Sequence, residues 1–284
     1  GYPLDCFELW VTECEHCEET KIPHKNCKHF HRLTKADVIR DHTWRETPVG
    51  CVNHATVNLL GMDQMKRWAK EKGVPLYIWR LPACDQYSTE LLQEIDNTKA
   101  QSIPELWGFF IKNFPVRITY NANLDAKVVN GTTESTLSSM SFGDDEEREE
   151  MRTTLESNNW RPGETIIIEP PYAVYIDIRN NSNFKRIPIL VHKNERKRQK
   201  NVAVGKVAGN RNKTTVRVHS CGYTTELSGT PYAFQGTTLP KMIGDFTETT
   251  APKLTMNTIN VLATRVPNSV NFRYIGDPQH LKTI

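Results

Sequence analysis

What this sequence lacks narrows it first. None of its 284 residues belongs to a run approaching the eighteen or so apolar residues that a membrane span needs, so no membrane partner is expected. The opening GYPLDCFELW has no initiator Met, no basic region and no apolar signal core, and it reads as a chain that starts inside a longer protein. Net charge is only +3, so bulk electrostatics select no partner. The seven cysteines are an odd number, and Cys51, Cys84 and Cys221 each stand alone among apolar residues. That pattern predicts reduced thiols in a nuclear or cytoplasmic protein, not the disulfide framework of a secreted one. Nowhere does G-x-x-x-x-G-K-[ST] occur: the nearest match, Gly205-Lys206-Val207, lacks the upstream glycine and the hydroxyl residue. No apolar strand ends in an Asp-Glu pair suited to Mg2+, and Asp144-Asp145-Glu146-Glu147 instead opens a charged helical stretch over 144–156. The chain is not expected to hydrolyse ATP by itself.

What is present reads as an α/β protein. Pro48 to Asn53 can form a short strand, followed by a helix with Leu59, Met62, Met65, Trp68 and Ala69 on one face. Gly73 suits its C-cap, and Val74–Trp79 reads as the next strand. Strand, helix, strand within some thirty residues is the grammar of a parallel sheet. Residues 83–101 are polar and read as a loop or irregular helix. Pro104 opens an expected helix with Leu106, Trp107, Phe110 and Ile111 inward, leading into a strand over Phe114–Tyr120. Asn130-Gly131 marks a tight turn. Short β runs then follow at Ser135–Phe142, Thr165–Glu169, Val174–Ile178, Ile187–Val191 and Thr214–His219, suggesting a small inserted barrel. A strand over Met242–Phe246 restores the α/β pattern. A helix capped by Thr255 carries Met256, Ile259, Leu262, Ala263 and Val266, and Pro267 ends it.

Four segments, in this order, resemble the PIF/RecD-type branch of superfamily 1 helicases. TPVGCVNHATVNLLGMDQMKRWAKEKGVPLYIWRLP (47–82) is similar to the strand–helix–strand that opens the second RecA-like domain. PELWGFFIKNFPVRITYNANLDAKVVNGT (104–132) resembles the passage leading into that family's SH3-like insertion. TPYAFQGTTL (230–239) is similar to motif V, usually Thr-Val-His-Lys-x-Gln-Gly-x-Thr-Leu, and NVLATRV (260–266) to motif VI, usually Val-Ala-Leu-Ser/Thr-Arg-Val. The resemblance implies a RecA-like parallel-sheet domain interrupted by a small all-β, SH3-like barrel. It divides the chain into a Cys/His-rich charged segment (1–45), the first part of the RecA-like domain (46–120), the insertion (121–228) and a second part with motifs V and VI (229–284). The implied function is the C-terminal half of an ATP-dependent DNA helicase, with the family's roles in DNA repair, recombination and telomere maintenance. Its partners would be single-stranded and duplex DNA and the first RecA-like domain, which is not in this sequence. ATP and Mg2+ would bind only with that domain. The pattern departs at Tyr232 and Ala233, where motif V has His and Lys, and at NHATVN (53–58), where motif IV has an Arg. An alternative is a catalytically inactive, helicase-derived nucleic-acid-binding protein of transposon origin.

By resemblance Arg265 is the arginine finger, and chemistry agrees: a guanidinium in the last turn of an apolar-faced helix can stabilise charge on a transferring phosphoryl group. Gln235 and Gly236 join it as nucleotide-side residues, because Gly lets backbone amides approach a phosphate closely. Thr230, Thr237 and Thr238 would contact the DNA strand. The alternatives are a helix-end Arg that satisfies its own carbonyls and a plain strand-to-helix turn. Lys193, Arg196, Lys197, Arg198 and Lys200 crowd one stretch, read either as a DNA-contacting loop or as a solvated turn; the first four are taken as DNA-binding. In the cluster Cys14-x-x-Cys17, Cys27, His29 and His31, the first pair has zinc-ligand spacing, and Cys27 with His31 could complete a Cys3His site. Chance clustering is the default reading, and no metal is assigned.

Overall fold

The computed structural model describes residues 15–20, 27, 29–95, 97–125, 127–143, 160–180, 183–191, 198–205, 214–247 and 253–276. The acidic stretch 144–156 therefore lies outside the described residues, as do Cys14, Lys193, Arg196 and Lys197. The chain divides into two compact units, one of residues 1–60 with 227–284 and one of 61–226. Residues 61–120, grouped by sequence with the first α/β segment, thus belong with the second unit.

The first unit is built on a five-stranded sheet in the order His31–Arg32, Phe272–Ile275, Met242–Asp245, Val49–Gly50, Ser228–Gly229. Every pairing in it is parallel. A parallel sheet needs cover on both faces, and its central strands read accordingly: all four residues of Met242–Asp245 are buried. Phe234, Phe246, Leu254, Ile259, Leu262 and Phe272 pack together in one cluster, and Trp44, Val49, Cys51, Val57 and Ile243 in another. Gly50 leaves little room: a Cβ would stand 2.3 Å from Leu262 Cδ2 and 2.8 Å from Met242 Cε, so both side chains would have to move. The α/β class read from the sequence is the one the structure has.

One inference from the sequence fails here. Val49–Gly50 and the strand after the next helix were expected in one sheet, yet Leu76–Arg80 pairs parallel with Thr165–Ile167 and antiparallel with Trp107–Phe110. The reason is occupancy: Val49–Gly50 already has Met242–Asp245 on one side and Ser228–Gly229 on the other, so it offers no edge. The intervening helix runs His54–Lys72, started by Asn53, whose Oδ1 accepts from the Ala55 amide at 2.8 Å. It ends at Gly73, whose φ of +67° is the left-handed C-terminal conformation. Met65 and Ala69 are buried as expected, but Leu59 is 58% exposed.

Among the described residues, the second unit holds three sheets. Five antiparallel strands run in the order Tyr223–Thr225, Pro115–Ile118, Ser135–Ser141, Ala173–Asn180, Asn183–Leu190. Gln199–Gly205 and Thr214–His219 form a separate hairpin, and Thr165–Ile167 belongs to the sheet of Leu76–Arg80. Of the five runs the sequence reading placed in one barrel, three stand in the five-stranded sheet, one in the hairpin and one beside Leu76–Arg80. The expected helix after Pro104 is a 3-10 turn over Pro104–Leu106 followed by the strand Trp107–Phe110. All four strand residues are buried, so no period marks it. Gly108 fixes its place, since a Cβ there would lie 2.4 Å from the Trp79 indole. The polar 83–101 region forms two helices, Gln86–Glu94 and Asn97–Gln101, the first capped by Asp85 accepting from the Ser88 amide at 2.8 Å. Asn130-Gly131 is the turn expected: Gly131 has φ +91°, and Asn121 Oδ1 accepts from the Asn130 amide at 3.0 Å. Among the described residues no helix is long and apolar enough to cross a membrane.

Candidate functional site

The segment Thr230–Leu239 leaves the sheet at the end of Ser228–Gly229 and returns at Met242. Thr230 precedes a 3-10 turn, Pro231–Phe234, in which Pro sets the backbone and Phe234, fully buried, pins it to the core. Gln235 follows with its amide on the Tyr232 carbonyl at 3.2 Å and its side chain exposed. Gly236 has φ +80° and open space around its Cα, so it is backbone conformation, not crowding, that calls for glycine. Thr237 closes the turn twice, its amide 3.1 Å and its hydroxyl 2.7 Å from the Phe234 carbonyl. Thr238 is exposed.

Arg265 arrives from the helix Met256–Ala263, whose N-cap Thr255 accepts from the Thr258 amide at 3.3 Å. The helix stops two residues before Arg265, with Thr264 as its C-cap, so the arginine stands just past the last turn, not inside it. Its Nε donates to the Val261 carbonyl at 2.9 Å and Nη2 to Thr264 Oγ1 at 2.9 Å, and Nη1 reaches the Thr237 carbonyl at 3.5 Å. The Leu239 amide donates to the Arg265 carbonyl at 2.7 Å. The segments similar to motifs V and VI, about thirty residues apart in the chain, are thereby joined by side chain and by backbone. Half-buried, Arg265 uses part of its five-donor fork on carbonyls and retains capacity for an anion. The same bonds satisfy the end of its own helix, so the capping role weighed from sequence is also present.

Tyr232, counted in the sequence only as a lost histidine, is 85% exposed on this loop. A ring so presented has both faces available to a planar partner. Its signal in the sequence was a large aromatic between Pro231 and a small residue, in a turn that already buries Phe234.

The basic run divides. Lys193, Arg196 and Lys197 lie outside the described residues, but Arg198 does not behave as an exposed loop cation. Its side chain is 2% exposed, Nη2 donates to the Leu190 carbonyl at 2.6 Å, and the guanidinium lies 5.4 Å from the Tyr120 ring centre. Lys200 is half-buried in the strand Gln199–Gly205, and burial pulls its ammonium below the usual lysine range. Strand alternation explains Lys200, which shares the inward face of Gln199–Gly205 with Val202 and Val204, while Arg198, just before the strand, is held in by the Leu190 carbonyl and the Tyr120 ring.

Of the cysteines, Cys51 is pushed up to about 12 by burial, helped by Asp245, and Cys221 to about 11 by burial. Such thiols are poor nucleophiles at neutral pH. Cys17, Cys27 and His31, left to chance by the sequence reading, are brought together in the first unit.

No protein-family model matches the chain, and no curated protein does. Solved structures do. The Pif1 helicase of Candida albicans is 11% identical with a TM-score of 0.42, covering 86% of this chain and 51% of its own. Bacteroides Pif1 in complex with ADP-AlF3 and single-stranded DNA is 12% identical with a TM-score of 0.42, covering 84% of this chain and 44% of its own. Bacteroides Pif1 bound to single-stranded DNA is 10% identical with a TM-score of 0.40, covering 80% and 40%. The chain spans about half the length of the structures it matches, or less.

Proposed function

We propose that this chain is the C-terminal motor half of an ATP-dependent DNA helicase of superfamily 1, coupling ATP hydrolysis to movement along a single strand and to duplex unwinding. The observation that carries the reading is the junction of Arg265 with the Thr230–Leu239 loop, through Thr237 and Leu239. A motor needs the group that senses nucleotide and the loop that holds the strand to move as one body, and these two are hydrogen-bonded to each other. Arg265 would face the phosphates of an ATP held mainly by a first RecA-like domain carrying the phosphate loop absent from this sequence. Mg2+ would come with that domain. Thr230, Thr237 and Thr238 offer neutral donors to a strand backbone, Gln235 and Gly236 relay the loop's position to Arg265, and Tyr232 stacks on a base.

Two measurements test this. Fluorescence anisotropy of the chain with a labelled oligothymidylate should show salt-dependent binding. Tyr232→Ala should weaken it by about 5- to 150-fold, the worth of ~1–3 kcal/mol for one stacked base. In a protein extended to include a phosphate-loop domain, Arg265→Ala should lower kcat by ~10³-fold or more while leaving DNA affinity nearly unchanged. Unaltered turnover would reduce Arg265 to a helix cap and remove the motif VI assignment. DNA binding without any DNA-stimulated turnover in the extended protein would favour the inactive, nucleic-acid-binding descendant instead.

A further inference from the structure

Cys17 lies on the short helix Glu15–Thr20, Cys27 on the segment that follows it, and His31 at the start of the edge strand His31–Arg32. Ten residues separate the sulfurs in the chain, yet they stand 3.7 Å apart, and His31 Nε2 is 3.1 Å from Cys27 Sγ. One ligand atom from each of the three lies within 4.8 Å of the other two. A disulfide would require a separation of about 2.05 Å. A tetrahedral ion with bonds of about 2.3 Å to sulfur and about 2.0 Å to nitrogen spaces two sulfurs by about 3.8 Å and sulfur from nitrogen by about 3.5 Å. The sulfur separation found is that of one edge of such a tetrahedron.

We propose that Cys17, Cys27 and His31 bind a zinc ion that fastens the N-terminal segment to the edge of the parallel sheet. Two thiolates and an imidazole are a donor set of the softness and geometry that select zinc over the oxygen-seeking cations. His29, whose Nδ1 is 3.6 Å from Cys27 Sγ, is positioned to turn in as a further donor. Cys14, which completes the Cys-x-x-Cys spacing, lies outside the described residues.

The surroundings are those of a built site. Cys17 is 6% and Cys27 2% exposed, so water does not compete for their sulfurs. His31 is fixed by parallel register with Arg273 and Cys27 by its carbonyl, which accepts from Ser269 Oγ. Arg273 is itself 5% exposed, with Nη1 on the Val270 carbonyl at 2.8 Å and its guanidinium 4.9 Å from the Trp44 ring centre. In the helix Glu15–Thr20 the side chains of Glu15, His16, Glu19 and Thr20 are exposed, and Cys17 is the one buried among those described. A metal cross-link would tie that helix to the sheet edge.

The test uses the full chain, expressed with zinc and dialysed against metal-free buffer. Elemental analysis should find about one zinc per chain. Cys27→Ser and His31→Gln should each lose most of it, while Cys84→Ser, a half-buried cysteine of the other unit, should keep it. Should the ligand variants fail to fold, cobalt loaded into the unaltered chain gives an independent reading: tetrahedral visible bands with a thiolate charge-transfer band in the near ultraviolet. A chain that takes up neither metal overturns the site. So does full zinc retention in Cys27→Ser, or a Cys17–Cys27 disulfide in a non-reducing peptide map of freshly purified protein. None of these outcomes touches the ATP or DNA measurements, so the two readings fail separately.

Discussion

Arg265 in the first unit and Arg198 in the second were both nominated for phosphate by short sequence signals, and the fold treats them oppositely. Arg265 stands past a helix end, half-buried, with its fork bridging the helix end and a glycine-containing loop. Arg198 comes from the densest run of cations in the chain and is almost wholly enclosed, against Tyr120 and the Leu190 carbonyl. Charge density along the chain measures what solvent would meet if the segment were unfolded. What a folded cation can bind is set by the carbonyls and rings that reach it first, and only placement in an element decides that.

The largest effect expected from this contrast is on stability. Arg198→Ala removes a buried side chain from Tyr120, leaves the Leu190 carbonyl without that donor, and opens space beside Gly222, where Arg198 Cδ already packs. It should cost about 2–4 kcal/mol in urea unfolding. A loss below that of an ordinary surface change would mean that the guanidinium is available to solvent and that the basic run acts as one exposed patch after all. The same experiment on Arg265→Ala should show only about 0.5–1.5 kcal/mol, since its carbonyl partners are partly solvated and can turn to water. Two losses of equal size would erase the distinction and make Arg265 a core residue.

Local signals in the sequence carried much of this, and pairing carried what they missed. The Thr255 cap and the apolar spacing of Ile259 and Leu262 mark the helix that delivers Arg265, because helices are held by contacts three and four residues apart. Strands at Ser135–Ser141 and Thr214–His219 were legible from their own local composition and period of two. Their partners were not, since a sheet order joins segments a hundred residues apart and any buried strand can in principle take either edge. Trp107–Phe110 was mistaken for helix because four consecutive buried residues carry no period. Gln199–Gly205 was hidden behind its basic composition, although buried Val202 and Val204 alternate with exposed Asn201, Ala203 and Gly205. At the candidate site, Arg265, Gln235 and Gly236 were nominated by resemblance to motifs V and VI, while the reach of Arg265 to Thr237 and the exposure of Tyr232 required the fold. The cysteine–histidine cluster was read as chance because the nine residues between Cys17 and Cys27 gave no reason to bring their sulfurs together.

The smallest effect lies with a third kind of cation, one already spent on a partner at the surface. Lys241 precedes the strand Met242–Asp245, donates to Asp41 and, at 2.6 Å, to Thr43 Oγ1, and lies 4.9 Å from the Trp44 ring centre. The hydrogen bond from Lys241, then that from Thr43, lowers the Asp41 carboxyl to about 2. A carboxyl lowered in the folded state contributes stability that is complete above its unfolded value of about 3.9 and disappears as pH falls through the folded value. Because the Asp41 side chain is 40% exposed, solvent screening keeps the contribution under ~1 kcal/mol. Lys241→Met should therefore lower the melting temperature by a small, constant amount from pH 7 to about pH 5, with the gap to the unaltered protein closing between about pH 4 and pH 2. Salt should shrink the gap at pH 7, as it does for any exposed pair. A gap that persists at pH 2 would trace to lost packing of the lysine stem on Trp44 and not to its charge. Lys241 would then rank with Arg198, as a cation valued for the surface it covers.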